Sequence, residues 1–248
     1  MRKVFLGLTL WLCVIPGTPQ ATTLAASDVL TRARVYLRDQ STSPNRQQFP
    51  DATLLQFLSD GQREANAQNW IIVSSYTFNL IQGTTEYAVP NDFMGTMRVW
   101  FNSLGTGSYV KLDQTSFDQM DAQSTGWMNG TGQPTRYYMD RSSQTVYLGF
   151  WPAPSVINST GTVLMYYIQQ TADCSATSCI PFNGNLLLQP YVSALSYYVT
   201  YRGFMSVEET DLAQAYLQLW VSFLQIMRQG TTNMPDFQPG FVGQRGTP

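Results

Sequence analysis

Apolar residues recur at helical spacing near both ends of the chain and at strand spacing between them. From Leu24, "LAASDVLTRARVYLRDQ" sets Val29, Leu30, Ala33, Val35, Tyr36 and Leu37 on one face, which predicts a helix capped by Ser27 or Asp28. A polar stretch over 41–48 ends it. Asp51, just after Pro50, is placed to cap a second helix whose apolar positions are Leu54, Leu55, Leu58, Gly61 and Ala65, with Gln56, Asp60, Arg63 and Glu64 opposite.

From Ile71 the period changes. "SSYTFNLIQG", "EYAVP", "MRVWFNS", "YVKLDQ", "TRYYMD", "TVYLGFWP" and "TVLMYYIQQ" are rich in Val, Ile, Tyr, Phe and Thr, and turn formers bound each one. They predict antiparallel strands, two of them joined at "DRSS", an Asp-led turn. A Gly/Asn loop is expected over 125–134, with a short helix over 116–122 before it.

Helical spacing then returns. "LLLQPYVSALSYYVTYRGF" is apolar all round and predicts one helix buried on several sides, with Pro190 in its first turn. "VEETDLAQAYLQLWVSFLQIMRQ" opens on Glu208, Glu209 and Asp211, suited to the positive end of a helix dipole, and closes on Arg228. A hinge at Gly203 to Ser206 would make the two a hairpin. The stretch 230–248 is Gly/Pro-rich with spaced anchors at Met234, Phe237 and Phe241. The fold class expected is α+β: a helical bundle with an inserted antiparallel β-region and an extended C-terminal arm. The segments are a leader over 1–26, a helix pair over 27–70, the β-region over 71–182, a helical hairpin over 183–229 and the arm over 230–248.

Composition narrows the functional classes. Of 248 residues only 12% are charged, about half the usual share, while 13% are aromatic. A surface so poor in charge points to faces occupied by neighbours in an assembly. The net charge of −2, with Lys only at positions 3 and 111, gives no broad basic patch for gripping nucleic acid. There is no histidine, which removes Ser-His-Asp and Cys-His nucleophile systems and the commonest zinc ligand. The start, "MRKVFLGLTLWLCVIPGTPQA", has the layout of a secretory signal peptide, and equally suits a retained apolar extension packed on a partner. Cys174 and Cys179 bracket a turn-like "SATS", where a disulfide is feasible in an oxidising compartment.

Carboxylates are the remaining acid/base candidates. Asp118 with Asp121, and Glu208, Glu209 and Asp211, lie where helix starts want acids, and Asp113, Asp140 and Asp173 lie at strand ends or turns. No calcium loop, phosphate loop or dinucleotide fingerprint occurs, so neither a cofactor nor a metal is expected. Tyr137, Tyr138, Trp151, Tyr166 and Tyr167 could form a sugar-stacking platform, or fill a sheet core or subunit seam. The first of these, with a cleaved leader, would make the chain an exported bacterial envelope domain that binds carbohydrate.

The order of "DATLLQFLSDGQREANAQ", "VPNDFMGTMRVWF", "GQPTRYYMDRSSQTVYLGFWPAP", "TVLMYYIQQ" and "LLLQPYVSALSYYVTYRGF" resembles the head-to-tail connector (adaptor) proteins of tailed bacteriophages, from about Ala26 to Gln229. The resemblance implies a structural virion protein without enzymatic activity. It implies a homo-oligomeric ring, typically dodecameric, docked on the portal protein, extending the channel through which genomic DNA passes without specific binding. Tail tube, nozzle or fibre proteins would attach to it in the virion neck, after assembly in the host cytoplasm. On this reading Tyr137, Tyr147 and Trp151 pack a sheet or a subunit seam, and Met234, Phe237, Phe241 and Arg245 contact the portal or an adjacent subunit. Deleting residues 230–248 is expected to leave a folded protein that no longer joins heads to tails in an in vitro assembly assay; normal joining would remove the arm from the interface.

Overall fold

The computed structural model describes residues 23–41, 47–69, 71–103, 108–123, 126–142, 145–155 and 161–232. It is a mixed α+β fold. Four longer helices, α1 (Ala26–Leu37), α2 (Asp51–Asn69), α5 (Leu195–Ser206) and α6 (Thr210–Thr232), share one apolar core, in which α5 touches each of the others. Leu54, Leu58, Phe182, Val192, Leu195, Val199, Trp220 and Met227 are among its fully enclosed side chains. Close approach demands a glycine on α2: a Cβ at Gly61 would lie 2.8 Å from the Tyr198 ring. The α1–α2 connection is held by Arg34, whose guanidinium bonds Asp39 at 2.6 Å, Asp51 at 2.6 Å and the Phe49 carbonyl at 2.9 Å.

Between α2 and α5 the chain forms a β-sandwich. One sheet has the order β1-β10-β3-β4, from β1 (Val73–Asn79), β3 (Phe93–Asn102), β4 (Tyr109–Lys111) and β10 (Thr162–Gln169). The other has the order β2-β8-β7-β5, from β2 (Glu86–Ala88), β5 (Asp113–Gln114), β7 (Arg136–Asp140) and β8 (Tyr147–Trp151). Alternation decides the faces: Val99, Phe101, Val163, Met165 and Tyr167 from the first sheet meet Tyr137, Leu148 and Phe150 from the second. Most pairings are antiparallel as expected. Two short ones are parallel: β5 with β7, and β6 (Thr131–Gly132) with β9 (Ala153–Pro154).

The expected Gly/Asn loop over 125–134 therefore contains a strand, preceded by a 3-10 turn at Trp127–Asn129. The short helix α3 (Phe117–Gln123) is present and covers the outer face of the second sheet, with Met120, Trp127 and Tyr138 packed together. The turn at "DRSS" is led by Asp140, whose Oδ1 accepts the Ser142 N–H at 2.8 Å, a bond that also lowers the carboxyl pKa. A Cβ at Gly149 would fall 2.1 Å from the Tyr138 ring, so β8 needs glycine opposite that tyrosine.

The helical expectations need five corrections. Asp51 is the first residue of α2 rather than its cap, and α6 runs past Arg228 to Thr232. Neither Ser27 nor Asp28 is the N-cap of α1; Ala25 is, and Asp28 reaches back to accept its N–H at 2.9 Å. The single helix expected over 186–204 is broken: a 3-10 turn (Leu186–Leu188) and α4 (Gln189–Val192) precede α5. At that break the Ser196 hydroxyl donates to the Ser193 carbonyl at 2.6 Å, which favours a tight turn over a continuous helix. The hinge lies at Val207–Glu209 rather than Gly203–Ser206, with Glu208 in the left-handed region at φ 63°. Glu208 and Glu209 consequently precede α6, leaving Asp211 in its first turn.

A buried polar stripe on α2 joins helices to sandwich. Ser59, Gln62 and Asn66 are each at most 3% exposed and follow one another at helical spacing. Asn66 accepts the Ile72 N–H at 3.0 Å and donates to the Gln169 carbonyl at 2.7 Å. Gln62 donates to the Ala172 carbonyl at 2.5 Å and accepts the Phe182 N–H at 3.0 Å, while Ser59 accepts the Cys174 N–H at 3.0 Å. The "VPNDF" turn adds a second grip: Asp92 accepts from the Tyr167 hydroxyl at 3.1 Å and the Gln169 amide at 2.6 Å, and Phe93 stacks on Tyr167.

Asn66→Ala is expected to cost about 2–3 kcal/mol, because it strands a buried N–H and a carbonyl, whereas exposed Gln56→Ala should be nearly neutral; urea unfolding of both measures the contrast. Burial, with the Asp113 carboxylate adding to it, pushes the Tyr137 hydroxyl up to about 12. The native state holds that proton more tightly than the unfolded chain, whose tyrosine ionises near about 10. This contribution is complete below about pH 10 and is lost as the pH rises toward about 12. Thermal unfolding across that window is expected to fall less steeply in Tyr137→Phe than in the parent.

Candidate assembly interface

Among the described residues the carboxylates are committed to structure. Asp118 lies in the first turn of α3, whereas Asp121 does not cap: its Oδ1 accepts the Trp127 indole N–H at 2.7 Å. Asp60 pairs with Arg63 at 2.7 Å, and no cluster of three or more His, Cys, Asp or Glu side chains could hold a metal ion. Surface depressions are open and shallow. One of about 400 Å³ is lined by Asp113, Gln114, Thr115, Gln119 and Arg136, and another of about 320 Å³ by Phe57, Tyr201, Arg202 and Met205. In the first, the Thr115 hydroxyl donates to Gln119 Oε1 at 3.3 Å.

The aromatic residues singled out from the sequence do not share a face. Tyr137 is buried in the sandwich core, and Tyr138 points the other way, under Trp127 and Phe117. Tyr167 is buried with Phe93, and Tyr166 is exposed on the outer side of the first sheet. Trp151 is half-buried, its indole N–H donating to the Trp127 carbonyl at 3.1 Å while the Arg136 guanidinium lies 5.6 Å over its ring. A sugar-stacking platform built from Tyr137, Tyr138, Trp151, Tyr166 and Tyr167 is therefore absent, because strand alternation sends three of the five into cores. Tyr147 is half-buried and lies two residues from Gly149 on the same side of β8 as Trp151. Met234, Phe237, Phe241 and Arg245 lie outside the described residues.

The surface that stands out is one the sequence reading passed over. Helix α6 turns Trp220, Leu224 and Met227 into the core, and on the flank about a third of a turn away Leu212, Leu219 and Ile226 are 44–54% exposed. Leu212, Leu219 and Ile226 are seven residues apart, with exposed Ala215 and Ser222 between them. This is the seam pattern of a helix that packs on another helix. No charged residue occurs from Leu212 to Met227, so the face is flanked by Gln214, Gln218 and Gln225 alone. The spacing of 212, 219 and 226 was readable, but a helix apolar on both sides reads as buried.

The foot of this helix is braced by stacked rings. Tyr216 lies 5.6 Å from Tyr36 and 5.7 Å from Phe204, and burial raises its hydroxyl pKa. The stripe is therefore presented by a fixed helix. A second apolar patch comes from another segment: Ile180, Leu186 and Leu187 are 39–62% exposed. No described helix is long and apolar enough to cross a membrane.

Comparison with known proteins agrees with this picture of a structural chain. No curated protein matches it. The model of the SU10 adaptor protein family matches residues 24–240, a span that runs from the entry to α1 across the whole β-sandwich and past the end of α6. Since that match covers both the helical core and the sandwich held on α2, the chain belongs to the SU10 adaptor protein family of phage structural proteins.

Proposed function

We propose that the protein is the subunit of a head-to-tail adaptor ring in a phage neck. Copies associate side by side through the outer face of α6, the ring docks on the portal protein, its bore continues the DNA channel, and its far side receives tail components. The observation that carries this reading is the uncharged heptad stripe of Leu212, Leu219 and Ile226 on a helix whose other side is already buried. Leaving three large aliphatic side chains about half in water forgoes roughly half of the about 1.5–3 kcal/mol that full burial of each supplies, a loss a neighbouring helix removes.

Charge supports the same assignment. A channel wall that must let DNA slide should not grip it, and a chain with net charge −2 and only 12% charged residues offers no broad basic patch to the phosphates. Family membership supplies the phage context. Portal docking, the tail partners and the copy number come from the resemblance of the chain to connector proteins, with Met234, Phe237, Phe241 and Arg245 proposed as contacts to the portal or a neighbour.

Electron microscopy and native mass spectrometry of the purified chain are expected to find closed rings. The double substitution Leu219→Asp and Ile226→Asp should abolish them while leaving the circular dichroism spectrum unchanged, since both side chains are about half exposed in the monomer. Rings that persist in the double variant would remove α6 from the seam, and a parent chain that stays monomeric at high concentration would remove the ring.

A further inference from the structure

We propose that the Cys174–Cys179 disulfide is a redox-operated latch on the N-terminus of α1. The first N–H groups of a helix have no partner within it, and in α1 each one is accounted for. Ala25 N–H goes to the Asp28 carboxylate at 2.9 Å and Asp28 N–H to the Ala25 carbonyl at 3.1 Å. The two between them leave the helix: Ala26 N–H donates to the Cys179 carbonyl at 2.7 Å and Ser27 N–H to the Thr177 carbonyl at 2.8 Å. The loop closed by the disulfide is thus the cap of α1, supplying carbonyls at the positive end of its dipole.

The loop has two parts that depend on different forces. Its base is held without the disulfide: Gln62 binds the Ala172 carbonyl and the Phe182 N–H, Ser59 accepts from Cys174 N–H, and Asn183 accepts from Ala172 N–H at 2.9 Å. Its tip, Ser175 to Ser178, is exposed and carries one turn bond, Cys179 N–H to the Ala176 carbonyl at 3.0 Å. Apart from that turn bond and the two bonds to α1 themselves, the bond between the sulfurs, across Cα atoms 5.5 Å apart, is what ties the tip to the base so that Thr177 and Cys179 face α1. Opening it releases the cap while the base stays in place.

The chemistry is thiol–disulfide exchange with a dithiol reductant. Cys174 is 3% exposed and Cys179 is more open, so the incoming thiolate attacks Cys179 Sγ. The S–S bond breaks, Cys174 leaves as a thiolate and takes up a proton. The second thiol of the reductant then displaces Cys179 from the mixed disulfide, so two electrons and two protons pass to the chain and the reductant leaves as its own disulfide. A reducing cytosol holds the latch open and an oxidising exterior closes it. The latch does not depend on the adaptor assignment.

The test is amide hydrogen exchange on the full chain carrying Cys13→Ser, so that no third thiol can shuffle. Reduction, and separately the Cys174→Ser, Cys179→Ser double variant, are expected to speed exchange at Ala26 and Ser27 at least tenfold and to leave Ile72, Phe182 and the β10 amides unchanged. Unchanged exchange at Ala26 and Ser27 would overturn the latch. So would an equal rise through β10 and the helical core, which would make the disulfide a general staple.

Discussion

The whole molecule hangs on three uncharged side chains inside α2. A sandwich inserted into a helical fold must leave and return through the same small area, and backbone crossing that area loses water without gaining a ladder. Ser59, Gln62 and Asn66 solve this by hydrogen bonding Ile72, Gln169, Ala172, Cys174 and Phe182, the residues where the chain departs and comes back. Apolar replacements would fill the volume but leave five backbone groups orphaned, each costing about 1–3 kcal/mol. The stripe therefore sets where the sandwich sits on the helices, and with it where every exposed surface points.

That constraint also explains how α6 comes to have a free face. Helix α2 spends one side on the core, through Leu54, Leu58 and Ala65, and another on the crossing strands. Helix α5 packs on its three neighbours along most of its length and is exposed only in its last turn, at Met205 and Ser206. Helix α6 packs through Trp220, Leu224 and Met227, and among the described residues none buries Leu212, Leu219 and Ile226, which are the apolar surface left over when the demands of the described core are met. Had the sandwich folded down along α6, that surface would be core.

Much of this was legible in the sequence because the two periods, 3.6 and 2, are visible wherever one face is apolar and the other polar. The strands from Val73 to Gln169 and the helices α1, α2 and α6 follow from that pattern. The α2 stripe does not, since a search for buried positions looks for apolar residues, and Ser59, Gln62 and Asn66 are buried for their hydrogen bonds. The break before α5 falls at Ser193 and Ala194, inside a stretch that is apolar all round, so periodicity does not register it. Tyr137 and Tyr138 illustrate the finer limit: adjacent strand residues must face opposite ways, yet only the tertiary arrangement shows that both faces of β7 are covered, one by the first sheet and the other by α3 and Trp127.

Symmetry places a last demand on the surface. A single self-complementary stripe closes a pair of copies by a two-fold axis and stops there, whereas a ring needs two different surfaces that meet head to tail. In the proposed ring the α6 stripe would be one. Ile180, directly after the loop that caps α1, is another exposed aliphatic side chain and comes from a different segment. If it receives the neighbour's α6, the seam and the latch adjoin, because the bond that fixes Thr177 and Cys179 also sets the chain leading to Ile180.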